Sequence, residues 1–210
     1  MKLLFTIVLF IACRGASFAA TDEWKTSLQQ QLKILETSTS LPQWEKSSAL
    51  LKQLADQHPG EWLLQYYAGW SYTQMVFQAP DDKASSYCKT AEPYVEKALA
   101  LQPTNTETLT LKAYWLSARI KVEPTSSVKN GPESKKYSEK AIEADPSNPR
   151  AYLLKALVVY HTPGIFGGGK KKAHPIFEEA QQKFAAFKPK SALHPTWGLA
   201  ILQESMKSYQ

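Results

Sequence analysis

The apolar residues of this chain recur at spacings of three and four in several separate runs. Such runs cover residues 63–76, 109–120 and 151–160. This spacing places apolar side chains along one face of an α-helix. No stretch alternates apolar and polar residues over four or more positions with β-branched enrichment, as a half-buried strand would. The pattern therefore predicts an all-α fold.

Prolines that close an apolar segment repeat along the chain with a nearly constant period. They are Pro59, Pro103, Pro146 and Pro189, at spacings of 44, 43 and 43 residues. Proline is a normal residue just past a helix end, because it has no N–H to continue the helical hydrogen bonds. Each period is therefore expected to hold two helices, which gives the chain about four helical hairpins.

The period also predicts the domain organisation. The predicted helical repeats cover residues 22–59, 60–103, 104–146 and 147–189, with a cap at residues 190–210. Within the cap, a helix is expected over residues 193–207. Stacked units bury a continuous core only against their neighbours, so residues 20–210 are expected to form a single α-solenoid domain.

The second helix of each period carries a recognisable motif. Ala91, Tyr94, Ala98 and Leu101 precede Pro103, and residues 138–146 (SEKAIEADP) repeat the pattern. This arrangement resembles the tetratricopeptide repeat (TPR). The resemblance implies a right-handed superhelical solenoid in which small residues, here Ala68, Ala113 and Ala156, let two helices pack tightly.

The period of this chain is longer than the TPR period of about 34 residues. The additional residues fall between the two helices of a unit, at residues 79–87, 123–132 and 162–169. The last insertion (TPGIFGGGKKKA at residues 162–173), together with PTWG at residues 195–198, is similar to a family of exported bacterial TPR-like proteins. That resemblance implies a fold and a compartment more than an activity.

The first residues of the chain are typical of an export signal. Lys2 precedes an apolar run over residues 3–12, and small residues follow, so cleavage is predicted after Ala19. The signal peptide is then residues 1–19, and the mature protein is expected in the periplasm or outside the cell. Alternatively, residues 10–13 (FIAC) resemble a lipobox, and a lipid on Cys13 would anchor the chain to a membrane.

Composition and charge exclude several classes of protein. Apolar residues make up 43% of the 210 residues and charged residues 21%, so most of the chain is expected to fold. The formal net charge of +6 is too mild and too dispersed to indicate nucleic-acid binding. Cleavage after Ala19 would leave Cys88 as the only cysteine, without an internal disulfide. Cys88 is therefore predicted to be a small buried apolar residue.

The glycine-rich insertion is the nearest approach to a motif with known chemistry. Residues 164–170 spell G-x-x-x-x-G-K, but Lys171 stands where a P-loop needs Ser or Thr, and a helix pattern precedes the loop. Two interpretations stay open, a tight turn that needs glycine and a loose anion site near a helix N-terminus. The residues of that possible site are Gly167, Gly168, Gly169, Lys170 and Lys171.

Nothing else in the sequence predicts chemistry at a site. The four histidines show no metal-ligand spacing, and no nucleophile motif or acid pair is recognisable. We therefore expect no catalytic residues, no metal and no cofactor, and hence a protein that is not an enzyme.

The first helices of TPR-like repeats line a groove, and its predicted lining is rich in tyrosine. Counted from the tightly packed alanines, the groove residues are Trp62, Gln65, Tyr72, Glu107, Thr110, Tyr114, Ser117, Arg150, Leu153, Tyr160 and His161. Tyrosines with polar neighbours are typical of interfaces with proteins and peptides. A largely exposed Tyr114 ring is expected to contact the partner.

The leading functional hypothesis is a non-catalytic exported scaffold that binds a protein or peptide in this groove. The first alternative is a solute-binding or transporter-accessory component of the cell envelope that holds a small molecule. Buried aromatic residues around an unfilled pocket would favour it. The second alternative is an enzyme, which convergent ionisable groups with perturbed pKa values would favour.

Overall fold

The structure is a computed structural model that describes residues 20–209, with side chains from residue 23. The helices are α1 (Ala20–Thr37), α2 (Leu41–Gln57), α3 (Trp62–Gln78), α4 (Asp81–Leu101), α5 (Thr106–Val122), α6 (Ser127–Ala144), α7 (Pro149–His161), α8 (Lys170–Ala186) and α9 (Leu199–Met206). Short 3-10 helices follow α5, α7 and α9. Residues 20–209 contain no strand, so the predicted all-α class is confirmed.

The predicted signal peptide and Cys13 lie outside the described residues. Between residues 20 and 209, no helix is both long and apolar enough to cross a membrane.

Helices that are neighbours in sequence pack as pairs. The most extensive contacts join α3 to α4, α5 to α6 and α7 to α8, and α1 also packs against α2. In addition, α5 packs against both α3 and α7. The helices α3, α5 and α7 therefore form one continuous surface, which we call the first-helix face.

Small residues make this close packing possible. The fully buried alanines include Ala68, Ala98, Ala113, Ala141 and Ala156. A β-carbon at Gly69 would lie 2.9 Å from Val95 Cγ2, so α3 and α4 touch where α3 has no side chain. The predicted tight packing at Ala68, Ala113 and Ala156 is confirmed.

Cys88 lies inside the core and is 4% exposed. Burial raises the pKa of its thiol to about 11, so the thiol is protonated at neutral pH and unreactive. The prediction of a small buried apolar residue is confirmed.

Two of the three predicted insertions are mostly helical. Helix α4 begins at Asp81, directly after Pro80, and α6 begins at Ser127, directly after the 3-10 turn that Pro124 opens. Proline fits at a helix start because its φ angle is already helical and its missing N–H has no partner there. These two insertions therefore lengthen the second helices. Of the three insertions, only residues 162–169 form a connecting loop.

The C-terminal helix is shorter than predicted. The predicted helix over residues 193–207 is replaced by α9, which begins only at Leu199. Pro195 cannot donate a helical hydrogen bond, and Gly198 has a φ angle of +113°, outside the helical range. Residues 187–198 are irregular instead, and we call them the C-terminal segment.

Candidate functional site

The C-terminal segment lies across the first-helix face. Tyr67 Oη donates a hydrogen bond to the Leu193 carbonyl over 2.9 Å, and Trp197 Nε1 donates to Tyr66 Oη over 2.7 Å. At Gly198 a β-carbon would lie 2.8 Å from Phe184 on α8 and 3.2 Å from Leu153 on α7. The positive φ angle and the close approach both require glycine at position 198. This turn in the backbone directly follows Trp197.

Trp197 belongs to a series of stacked aromatic rings. Its centroid lies 5.1 Å from that of Tyr114 and 6.3 Å from that of Trp70, at interplanar angles of 23° and 28°. Phe77 stacks on Tyr114 at 5.2 Å. Offset stacking of this kind adds to the gain from burial alone, so Trp197 anchors the segment to α3 and α5.

A buried charge cluster lies beneath the segment. The Arg150 side chain is fully buried and donates to Glu107 through Nε at 3.0 Å and through Nη2 at 2.5 Å. Asn148 Nδ2 donates to the same carboxylate at 3.0 Å, and His194 Nε2 lies 3.5 Å from Glu107 Oε1. Because His194 belongs to the segment, this cluster joins α5 and α7 to the C-terminus.

The electrostatics of the cluster keep Glu107 charged. Burial alone would raise the pKa of this carboxyl. The close contact with His194 and the positive charge of Arg150 outweigh burial, and the pKa lies below its ordinary value. Two-point bonding between a guanidinium and a carboxylate is among the strongest polar contacts in proteins. Glu107 is therefore a buried structural anion.

A cavity of about 550 Å³ lies between α1, α2, α3 and the C-terminal end of the chain. Its lining is Gln29, Leu32, Lys33, Leu35, Glu36, Trp44, Tyr67, Trp70, Gln74, Ala192, His194, Thr196, Trp197, Gly198, Leu199, Ala200 and Ile201. This volume is within the range of about 300–1,000 Å³ found for small-molecule sites.

The cavity walls are mainly aromatic and aliphatic. Trp44 and Trp70 lie 5.6 Å apart between ring centroids, and Tyr67 lies 6.0 Å from Trp70. Trp70 is buried, yet its Nε1 has no hydrogen-bond partner among the described residues. An unpaired buried donor is uncommon in native proteins. Polar groups, among them the exposed Lys33, stand on the α1 side of the cavity.

The structure divides the predicted groove residues into two sets. The buried set is Gln65, Glu107, Thr110, Tyr114, Arg150 and Leu153. The partly or largely exposed set is Trp62, Tyr72, Ser117, Tyr160 and His161, and a role in partner binding stays a prediction for these.

The expectation of an exposed Tyr114 ring is wrong. The ring is 4% exposed, and its Oη donates to Gln74 Oε1 over 2.6 Å. The physical reason is the C-terminal segment, which covers the face where an open groove was expected. Glu107 and Arg150, which were also predicted to line the groove, are buried and form an ion pair with each other.

The glycine-rich loop is a hydrogen-bonded turn. The N–H groups of Gly167, Gly168 and Gly169 donate to the carbonyls of Gly164, Pro163 and Val159, respectively. These three N–H groups therefore already donate hydrogen bonds within the protein and are not available to bind an anion, as the anion interpretation requires. Lys170 reaches the Ser208 carbonyl, and anion binding by the lysines stays a prediction.

Gly168→Ala is expected to destabilise the protein by at least about 2 kcal/mol. A β-carbon there would lie 2.3 Å from the Thr162 carbonyl oxygen and 2.6 Å from that of Val159, and these backbone atoms cannot move aside cheaply. Gly164→Ala is the matched control, because a β-carbon there meets nothing within 4 Å. It should change stability by less than about 0.5 kcal/mol. Thermal melts of both variants measure the difference.

Sequence reasoning missed the residues that form the cavity. The lining from α1 and the return of Trp197 onto α3 were not predicted. Two signals were present, namely the PTWG motif at residues 195–198 and six tryptophans in the chain. Neither signal shows by itself which helix a tryptophan contacts.

Among solved structures, the chain is similar to the HusA haemophore from Porphyromonas gingivalis, with a TM-score of 0.74. The two sequences are 28% identical, and the match covers 93% of this chain and 94% of the haemophore chain. No protein-family model matches the chain, and no curated protein matches it. The similarity therefore extends over nearly the whole length of both proteins.

Proposed function

We propose that this protein is a non-catalytic binding protein for a flat, mostly apolar small molecule with peripheral carboxylates. The class that fits best is a tetrapyrrole such as haem or its metal-free porphyrin. The proposed site is the cavity between α1, α2, α3 and the C-terminal segment. The observation that carries the proposal is this cavity of about 550 Å³ with its aromatic walls.

The shape and chemistry of the walls support a planar ligand. Trp44, Tyr67, Trp70 and Trp197 all contribute to the lining. Aromatic side chains bury large areas and stack favourably on other π-systems. Buried aromatic residues around a pocket of this size are also the feature expected of a small-molecule binder, so they favour that alternative over a peptide scaffold.

Polar residues on one side of the cavity suit carboxylates. Lys33 is exposed on α1 and supplies a positive charge, while Gln29 and Gln74 supply amide N–H donors. A ligand with an apolar ring and acidic substituents could place the ring against the tryptophans and its acids beside Lys33. A small number of placed polar groups in an apolar site is the usual arrangement for orienting a ligand.

The similarity to a haemophore supports the same ligand class. It extends over more than nine-tenths of each chain, so the whole fold is compared and not a fragment. A peptide in the predicted groove has less support, because the C-terminal segment occupies the first-helix face. We also infer a TPR-like, right-handed solenoid from the 43-residue period and the helix pairs.

We further propose that the protein acts outside the cytoplasm. The support is the export pattern of residues 1–19 and the similarity to a haemophore. An export signal is removed on translocation, so mass spectrometry of the protein from its native source should give a chain that begins at Ala20. A chain that retains Met1 would contradict export, and a lipid on Cys13 would indicate a membrane-anchored form.

Titration with haem and with protoporphyrin IX, followed by visible absorbance, tests the proposed ligand. Trp70→Leu is expected to weaken binding at least about tenfold, because it removes a stacking face at the centre of the site. Lys33→Glu should weaken binding about fivefold, since it reverses a charge at the edge.

Trp62→Leu and Lys46→Glu are the matched controls, because neither residue lines the cavity. Both should bind as the unmodified protein does. Failure of the unmodified protein to bind either tetrapyrrole would contradict the proposed function.

A further inference from the structure

The most exposed apolar side chains of the described residues are concentrated at one kind of position. Val128, Ile165 and Phe166 are 86%, 87% and 74% exposed, whereas every other exposed large apolar side chain between residues 23 and 209 is 45% exposed or less. Val128 lies in the first turn of α6, after α5 and its 3-10 turn, and Ile165 and Phe166 lie in the loop that follows α7. All three therefore lie where a first helix connects to its second helix.

These connections share one edge of the molecule. Helices α5 and α7 pack together and begin side by side, where Arg150 bonds to Glu107. We therefore place the turns that follow these two helices at the same edge of the molecule. We call this edge the turn edge, and Ile165 with Phe166 the apolar tip.

The apolar tip is held in a fixed conformation. Phe166 N–H donates to the Pro163 carbonyl at 2.9 Å, and Gly169 N–H donates to the Val159 carbonyl at 2.8 Å. Gly168 packs directly against Thr162 and leaves no room for a side chain. A turn so constrained presents the two side chains outward without further loss of backbone entropy on binding.

The loop that carries the tip is rich in lysine. Residues 162–174 contain Lys170, Lys171 and Lys172 and no acidic residue. Lys172 Nζ lies 4.0 Å from the place of a β-carbon at Gly167, directly beside the tip. Lys171 is also exposed, and so is Lys129 in the first turn of α6. The acidic Glu123 before that turn is paired with Arg119 at 3.8 Å. The N-terminus of α8 adds the positive end of its helix dipole.

We propose that the turn edge is a docking surface for membranes that contain anionic lipids. Ile165 and Phe166 enter the headgroup region, and Lys171 and Lys172 face the lipid phosphates. Charge complementarity selects this occupant, because exposed apolar side chains flanked by lysines are the usual means of peripheral attachment to anionic bilayers. Exposed apolar side chains at the start of α6 and in the loop before α8 suit a broad surface better than a single deep pocket.

This inference goes beyond the proposed ligand and does not depend on it. No residue of the tip lines the cavity, so a tip variant should still bind a tetrapyrrole with unchanged affinity.

Co-sedimentation of residues 20–210 with lipid vesicles tests the surface. Binding is expected to vesicles of phosphatidylglycerol and phosphatidylcholine, to weaken as salt is added, and to be much weaker for phosphatidylcholine alone. The double variant Ile165→Ser with Phe166→Ser should bind at least about tenfold more weakly. Lys171→Gln and Lys172→Gln should each cost about fivefold.

Matched controls separate the turn edge from general surface effects. Leu101→Ser alters an exposed apolar residue at the opposite edge, and Lys97→Gln with Lys188→Gln removes two exposed lysines elsewhere. All should bind vesicles like the unmodified protein. Absence of binding to anionic vesicles, or equal binding by the tip variant, would overturn the proposal. So would a photo-crosslinker at position 166 that captures an envelope protein and no lipid.

Discussion

A Glu107→Gln variant is expected to lose about 3–5 kcal/mol of unfolding free energy. The substitution keeps the shape of the side chain but removes the only anion that pairs with Arg150 among the described residues, and that guanidinium is fully buried. A buried cation without its partner loses the attraction that compensates for its lost hydration. Urea unfolding at neutral pH measures the change.

Two comparisons make the Glu107→Gln result specific. Lys52→Gln breaks an exposed ion pair with Asp56 and should cost less than about 1 kcal/mol. The double variant Glu107→Leu with Arg150→Met removes both buried charges and should recover most of the loss, because apolar residues of similar size can replace a buried pair. If Glu107→Gln costs no more than Lys52→Gln, the buried pair is not the stabilising element described above.

The effect of Glu107→Gln should also depend on pH. The pKa of Glu107 is lowered in the folded protein, so its contribution to stability is fully present above the pKa of the unfolded chain, about 4.3. That contribution is lost as the pH falls through the lower pKa of the folded state. The unfolding free energies of the unmodified protein and the variant should therefore converge below about pH 4.

Trp197→Ala is expected to cost about 3 kcal/mol of unfolding free energy and to loosen the C-terminal segment. The indole stacks on Trp70 and Tyr114 and donates to Tyr66, so its removal leaves a gap on the first-helix face. Amide hydrogen exchange of residues 187–198 should accelerate, because the segment would lose its aromatic anchor and keep only polar contacts such as the Tyr67–Leu193 hydrogen bond and the contact of His194 with Glu107.

Trp197→Phe separates stacking from hydrogen bonding. Phenylalanine keeps an aromatic face but cannot donate to Tyr66, so a loss of only about 1 kcal/mol is expected. Slow exchange in the segment should persist. Unchanged stability and unchanged exchange in Trp197→Ala would show that the segment is held by other contacts.

The sequence by itself determined the helical class, the helix-ending prolines and the positions of close helix contact. Each of these depends on local spacing. Apolar residues three and four apart define a helix face, and Ala68, Ala113 and Ala156 mark helix contacts because they are small. Local spacing also placed the insertions at residues 79–87 and 123–132 between the two helices of a unit, but it did not show that most of their residues extend the second helix.

Only the tertiary structure decided which residues surround the cavity and which charges are buried. Trp197 bonds to Tyr66, which lies 131 residues earlier in the sequence. The spacings of three, four and 43 residues give no indication that the C-terminal segment returns to α3. Until that segment is placed, Tyr114 lies on an open face, and Glu107 and Arg150 resemble surface charges. A residue is buried only when other parts of the chain cover it, and here the covering residues belong to the C-terminal segment.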